Sequence, residues 1–170
     1  MDAREHIIVV GVDGSPAAQR ALDWALAEAR YRDCTLRVVT AWSWDGVEGL
    51  GAPGAPGDAR AVAEKVQRQA LLTATEGLES SPEVDRRLVQ GRPSEVLCTA
   101  ALDAELLVVG GQGHTAVREV LVGSTSQRVI RHAACPVVVL PDPRHVAHEL
   151  KHARRHHRRA VSAPPSAPMF

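Results

Sequence analysis

Short runs of consecutive aliphatic residues alternate along this chain with longer stretches whose apolar residues recur every three or four positions. The first run, Ile7-Ile8-Val9-Val10, ends in Gly11-Val12-Asp13-Gly14, a turn signal. Ser15 offers an N-cap and Pro16 a first helical position, where a missing N–H costs nothing. Ala18, Ala21, Leu22, Ala25, Leu26 and Ala29 then share one helical face. The spacing predicts a strand, a tight turn and a helix.

The same unit repeats. Leu36 to Ala41 reads as a second strand, and residues 43–57, with five Gly and two Pro, read as a mobile loop. Asp58 is placed to cap a long helix that carries Val62, Ala63, Val66, Ala70 and Ala74 inward. Val84 to Val89 is a third strand, and its Asp85, Arg86 and Arg87 suit a sheet edge. Gly91-Arg92-Pro93 turns into a helix over 93–103. Leu106 to Val109 is a continuous apolar run, as expected of a strand buried on both faces. A helix over 124–133 and a strand from Val137 to Leu140 complete the body, which Pro141 and Pro143 stop. Strands alternating with helices imply right-handed crossovers and a parallel, doubly wound α/β sheet. Ligands of such sheets sit at the C-terminal strand ends, where the strand order reverses, which directs attention to the loops after Val12 and Val109.

Composition narrows the function classes. The 170 residues are one domain's worth of chain, and only 3% are aromatic. A core of Val, Leu, Ile and Ala suits this architecture, while a base-stacking nucleic-acid platform would need exposed rings. No apolar run approaches the ~20 residues of a membrane-spanning helix. The N-terminal residues lack a signal-peptide layout, so a cytoplasmic location is expected. Cys34, Cys98 and Cys135 form no CxxC pair and are expected to be buried, reduced thiols.

Charge divides the chain in two. Residues 1–143 carry 14 Lys/Arg against 19 Asp/Glu, a balance of −5, whereas residues 144–170 carry six against one, a balance of +5. Two regions follow: an acidic α/β body over 1–143 and a basic, His-rich tail, partly helical or disordered, over 144–170. In the tail, His148, His152 and His156 recur every four residues, a spacing that can share a transition metal if residues 145–159 are helical. The six cations alternatively suit an acidic protein, a nucleic acid or an anionic lipid. The third reading is a solvated helix fraying into a disordered Ala/Pro/Ser end.

The candidate chemistry lies after the fourth strand. Gly110-Gly111-Gln112-Gly113-His114 is followed by Gly123-Ser124-Thr125-Ser126 at a helix start. Glycines let backbone N–H groups approach a phosphate, and the helix N-terminus adds a favourable dipole. Ser124 with Gln127 also fits an ordinary capping box, so glycines and hydroxyls alone leave a phosphate site and a pair of tight turns both open. No lysine precedes Ser124, which excludes a P-loop, and only Gly11 and Gly14 follow the first strand, which does not make a dinucleotide fingerprint. The motif loops hold no paired carboxylates, nucleophile elbow or metal-ligand pair.

The spacing Gly-x-x-Gly, nine residues, then Gly-Ser, here Gly110, Gly113, Gly123 and Ser124, resembles the nucleotide-binding signature of the universal stress protein family. The opening Val10-Gly11-Val12-Asp13-Gly14-Ser15, the Gly91-Arg92-Pro93 turn and the closing Arg131 to Val137 segment are similar to it too, so the resemblance spans residues 5–141. It implies a five-stranded, Rossmann-like parallel sheet of order 3-2-1-4-5 and an ATP ligand, with or without magnesium, in a regulatory stress-response protein; with no catalytic group in the motif loops, slow hydrolysis at most is expected. By the same resemblance Asp13 accepts from the adenine amino group and the backbone near Ala41 contacts the base. Gly110 and Gly113 line the ribose and phosphate side, and Gly123, Ser124 and Ser126 hold the phosphates. A homodimer paired through Val137 to Leu140 is also implied. Departures stand at Gln112, where many relatives have Arg, and at Thr115-Ala116, where they have Gly-Gly. The alternative function is a dimeric interaction module that binds no nucleotide and acts through its dimer surface and basic tail.

Overall fold

The structure is a computed structural model that describes residues 6–43, 56–111 and 122–142. Five strands, β1 (Ile7–Gly11), β2 (Thr35–Trp42), β3 (Val84–Gln90), β4 (Leu106–Gly110) and β5 (Val137–Leu140), form one sheet of order β3-β2-β1-β4-β5. Every pairing is parallel, with Ile8 opposite both Leu36 and Leu106. The order reverses between β1 and β4, as the crossover argument requires.

Alternation along the strands sorts the core into two layers. Ile8, Val10, Leu36, Val38 and Val108 face one side and pack with Ala21, Leu22, Ala25 and Leu26 of α1 (Pro16–Arg32) and Ala70 of α2 (Pro56–Thr75). Ile7, Val9, Val39, Leu107 and Val109 face the other and pack with Val96 and Leu97 of α3 (Pro93–Ala100) and Val129 of α4 (Ser124–His132). β1 and β4 are buried on both faces, which is why they read as unbroken apolar runs.

Among the buried polar side chains, Arg37 and Gln67 bond across several elements. Arg37 on β2 is 5% exposed. Its Nε donates to Asp85 across the strand pair at 3.0 Å, and its Nη1 donates to Asp103 at 2.6 Å and to the Ala100 carbonyl at 2.8 Å. The second, Gln67 on α2, is fully buried. Its amide donates to the carbonyls of Val38 and Arg87 and to the Thr40 hydroxyl, and its carbonyl accepts from Arg86 Nε. Together they tie the charged edge strand β3 to the rest of the body.

Several expectations shift. Helix α2 begins at Pro56, so Asp58 sits in its first turn rather than capping it. Proline at the helix start is compatible because its missing N–H is one that no intrahelical carbonyl would receive. Val62 is 40% exposed, and Ala59, Ala63, Gln67 and Ala70 form the buried stripe instead. Of the three free thiols only Cys34 is buried; Cys98 and Cys135 are half-buried, and burial pushes all three above the ordinary thiol range. Residues 44–55, where most of the Gly-rich loop falls, and the tail lie outside the described residues.

Candidate functional site

The sequence motifs converge on the C-terminal strand edge at the β1/β4 reversal. After Gly11 the chain leaves the sheet, and the Val12 amide makes one last bond, to the Val39 carbonyl at 2.9 Å. The Asp13 carboxylate then accepts from the Ser15 amide at 2.9 Å, an Asx turn that Gly14 closes at φ +84°. Ser15 caps α1 by accepting from the Ala18 amide at 3.2 Å, and Pro16 follows at the first helical position. Asp13 is therefore a turn residue, whatever else it contacts.

β2 runs past this point. Its pairing with β1 stops at Val39, while its pairing with β3 continues to Trp42. Backbone groups alternate between the two neighbours of a strand. The Val39 carbonyl serves the β1 side and the Trp42 carbonyl, which accepts from Gly91, serves the β3 side. Ala41 thus turns its N–H and C=O toward the crevice that β1 has vacated. This donor–acceptor pair stands beside the Asp13 turn. The Trp42 indole N–H, at the same strand end, is buried without a hydrogen-bond partner.

β4 supplies the other wall. A Cβ on Gly110 would stand 2.7 Å from the backbone of Ala17 and Ala18. Gly110 is needed so that α1 can start against β4, and its backbone closeness serves the fold before any ligand. The small pair Ala17-Ala18 was the sequence signal for this approach. Beyond Gly110, the Gly111 amide donates to Leu140 at 2.7 Å and the Gly123 amide donates to the Gly111 carbonyl at 2.6 Å. The two ends of the glycine motif are thereby joined to each other and to the end of β5.

Helix α4 starts at that junction. Gly123 is its N-cap, with no side-chain cap, and Ser124 is its first helical residue. The capping box between Ser124 and Gln127 does not form; the Gln127 amide group reaches back to the Val122 carbonyl at 2.9 Å. Ser124 is exposed, and the N–H groups of Ser124, Thr125 and Ser126 have no intrahelical acceptor. Ser126 is different. It is 4% exposed and its hydroxyl donates to the Gly110 carbonyl at 2.6 Å, so its proton is already committed within the fold.

Of the residues named from sequence, Asp13, Ala41, Gly110, Gly123, Ser124 and Ser126 lie at this one edge, while Gly113, Gln112, His114, Thr115 and Ala116 lie outside the described residues. A cavity of about 560 Å³ opens at the opposite edge, among Tyr31, Asp33, Thr35, Ser81 and Glu83, and contains none of the motif residues. Among the described residues no three His, Cys, Asp or Glu side chains group as a metal site, and no helix is long and apolar enough to cross a membrane.

Comparison with known proteins agrees with this fold. A universal stress protein of Mycobacterium tuberculosis (strain H37Rv) is 38% identical over 133 residues, which cover 78% of this chain and 47% of that protein. The chain thus spans about half the length of that relative. A universal stress protein of Thermus aquaticus is 37% identical over 138 residues and is covered over 96% of its length, against 78% of this chain. Among solved structures, a universal stress protein in complex with cAMP superposes with a TM-score of 0.61 at 26% identity, covering 81% of this chain and 97% of the other. UspA from Lactobacillus plantarum superposes with a TM-score of 0.57, also at 26% identity, covering 82% and 99%. The model of the universal stress protein family matches residues 5–141, the five-stranded body from end to end, and the chain belongs to that family.

Proposed function

We propose that this chain binds an adenine nucleotide, with ATP as the ligand, at the β1/β4 edge and acts as a regulator rather than as an enzyme. One observation carries the reading: helix α4 opens toward the crevice with its first-turn N–H groups and the Ser124 hydroxyl unspent on capping. Such a terminus attracts phosphate through both hydrogen bonding and the helix dipole. Ala41 supplies a donor and an acceptor for the base edge, and Asp13 an acceptor for the adenine amino group. The orphaned indole N–H of Trp42 is a further donor at that end. The related protein solved with cAMP supports the adenine assignment. Of the hydroxyls, Ser124 is the phosphate contact, and Ser126 positions the loop. Magnesium, where present, would be held by the nucleotide's own phosphates.

The test is titration calorimetry of the folded protein with ATP, ADP, AMP, cAMP and GTP, beside chromatography of the supernatant after denaturation. Adenine nucleotides should give heat or co-purify; no heat and no thermal shift from unliganded, folded protein would defeat the reading.

A second reading rests on β5. Val137, Val138, Val139 and Leu140 are all only half-buried at an open sheet edge. Pairing with the same strand of a second copy would cover them, giving a homodimer whose surface is itself functional. Sedimentation should then give about twice 18.2 kDa.

A further inference from the structure

We propose that Ser94, at the start of α3, is a further residue of the nucleotide crevice and holds a ribose hydroxyl of the bound nucleotide. The inference rests on the nucleotide reading above and deepens it.

The first argument is a buried hydroxyl with no task inside the fold. Ser94 is 5% exposed, yet among the described residues its side chain makes no hydrogen bond. Hydroxyls taken out of water normally find a partner, because an unmet one costs stability. The other buried serines of this edge each have one: Ser15 accepts from the Ala18 amide and Ser126 donates to the Gly110 carbonyl. Nor does Ser94 start the helix. Arg92 is the N-cap, without a side-chain bond, and Pro93 follows it. The first helical hydrogen bond runs from the Val96 amide to the Arg92 carbonyl at 3.0 Å. The amides of Ser94 and Glu95 therefore have no intrahelical acceptor.

The second argument is where that hydroxyl faces. Ser94, Leu97 and Ala101 recur at i, i+3 and i+7, are all buried, and form the stripe of α3 turned toward the sheet. Leu97 lies over Gly11, the last residue of β1, where a Cβ would stand 3.0 Å from the Leu97 methyls. Ser94 is one turn nearer the helix start, about 4.5 Å further along the axis, and helical side chains lean toward that end. Because α3 enters from β3 at the C-terminal strand edge, this step carries Ser94 past the end of β1. Ala41 and the buried face of α4 lie on the same side of the sheet. A nucleotide with its base at Asp13 and Ala41 and its phosphates at α4 crosses the end of β1 with its middle, the ribose. A serine hydroxyl both donates and accepts, as a sugar hydroxyl requires of its partner. Two helix starts then share the crevice, α3 for the sugar and α4 for the phosphates.

The experiment compares full-length wild type with full-length S94A, by calorimetry with ATP and with dideoxy-ATP, which lacks both ribose hydroxyls, and by urea unfolding without nucleotide. Wild type should bind ATP more tightly than the dideoxy analogue. S94A should weaken ATP roughly five- to tenfold while the analogue changes less than about twofold. The urea midpoint of S94A should stay the same or rise, because no bond within the fold is lost and a buried hydroxyl is removed. A lowered midpoint would mean that the hydroxyl is spent inside the fold, and it overturns the proposal. Unchanged ATP affinity in S94A overturns it too, as does equal weakening of ATP and the analogue. In each of these cases wild type still binds ATP, and the nucleotide reading stands. If wild type binds neither, that reading has failed and Ser94's role falls with it.

Discussion

The Ser126 hydroxyl donates to the Gly110 carbonyl at 2.6 Å and so pins the start of α4 to the end of β4. Two serines one turn apart in role thus stand two residues apart in sequence. Ser126 holds the wall, and Ser124 faces outward from it.

These roles separate on substitution. Ser126→Ala should cost about 1 kcal/mol of stability, because a part-buried carbonyl loses its donor. Ser124→Ala should change stability by less than about 0.5 kcal/mol, since it neither caps nor is buried, yet should weaken ATP more than AMP. Urea unfolding and calorimetry on both variants check the pair.

Gly123 has φ −69°, a value open to any residue, so substitution there carries no backbone strain. Gly123→Asp should add a side-chain cap and stabilise α4 by a few tenths of a kcal/mol, roughly the difference between the two as N-caps. The same carboxylate would occupy the first-turn N–H groups and repel phosphate. The expected outcome is a slightly higher Tm with nucleotide binding lost; gain in both properties would contradict the placement of phosphate at this helix.

Gly110→Ala and Gly11→Ala should differ sharply. The new methyl at 110 meets backbone at 2.7 Å, whereas at 11 it meets the Leu97 methyls at 3.0 Å, which can shift. Overpacking of the first kind should cost about 3 kcal/mol and the second about 1 kcal/mol or less, read as shifts in the urea midpoint.

Asp13→Asn keeps an oxygen for the Asx turn and replaces the remaining acceptor by an amide. Stability should stay within about 0.5 kcal/mol, while the preference for ATP over GTP falls by about 1–3 kcal/mol. Competitive binding of the two nucleotides to wild type and variant measures it.

The Arg37 cluster makes stability depend on acid. The hydrogen bond from Arg37 holds the Asp103 carboxyl below the usual carboxylate range. At Asp85 burial pushes upward, but hydrogen bonds from Arg87 and Arg37 outweigh it and the net direction is also down. Depressed carboxylates stabilise the fold above their unfolded pKa, about 3.9, and that stability is lost as pH falls through the folded values. Wild type and Asp103→Asn should therefore differ at pH 7 and converge below about pH 4 in urea unfolding. Removing both partners, Asp85→Ala with Asp103→Ala, should cost about 3 kcal/mol by stranding a buried guanidinium, whereas Arg37→Met should cost less.

The strand runs, the helix faces and the sheet order were legible because aliphatic periodicity and βα alternation are consequences of burial on one or both faces. The charged triplet Asp85-Arg86-Arg87 correctly marked β3 as an edge. What could not be read was long-range and polar. Nothing around Gln67 announces that it will bond to Val38, Thr40 and Arg87, because those partners are close only after α2 packs on the sheet. Arg37 is the one charged residue of β2, and its partners Asp85 and Asp103 likewise come close only in the fold. At the candidate site, the strand order explains why Asp13, Ala41, Gly110 and Gly123 stand at one sheet edge, but the local hydrogen bonds there could not be read. The capping box at Ser124 satisfied every local rule, and the chain places the cap at Gly123 instead, leaving that serine turned outward.

The sheet also has two unlike margins. β5 ends it in four half-buried aliphatics, and β3 ends it in Asp85, Arg86 and Arg87. A sheet adhesive at both margins could add copies without limit and grow into a ribbon. In the proposed dimer one margin would accept a neighbour and the other, with its exposed charges, would not. Once two β5 strands meet about a two-fold axis, both outward margins are β3, and nothing remains for a third copy to join. On that proposal the stop to polymerisation lies in the sequence of a single strand, β3.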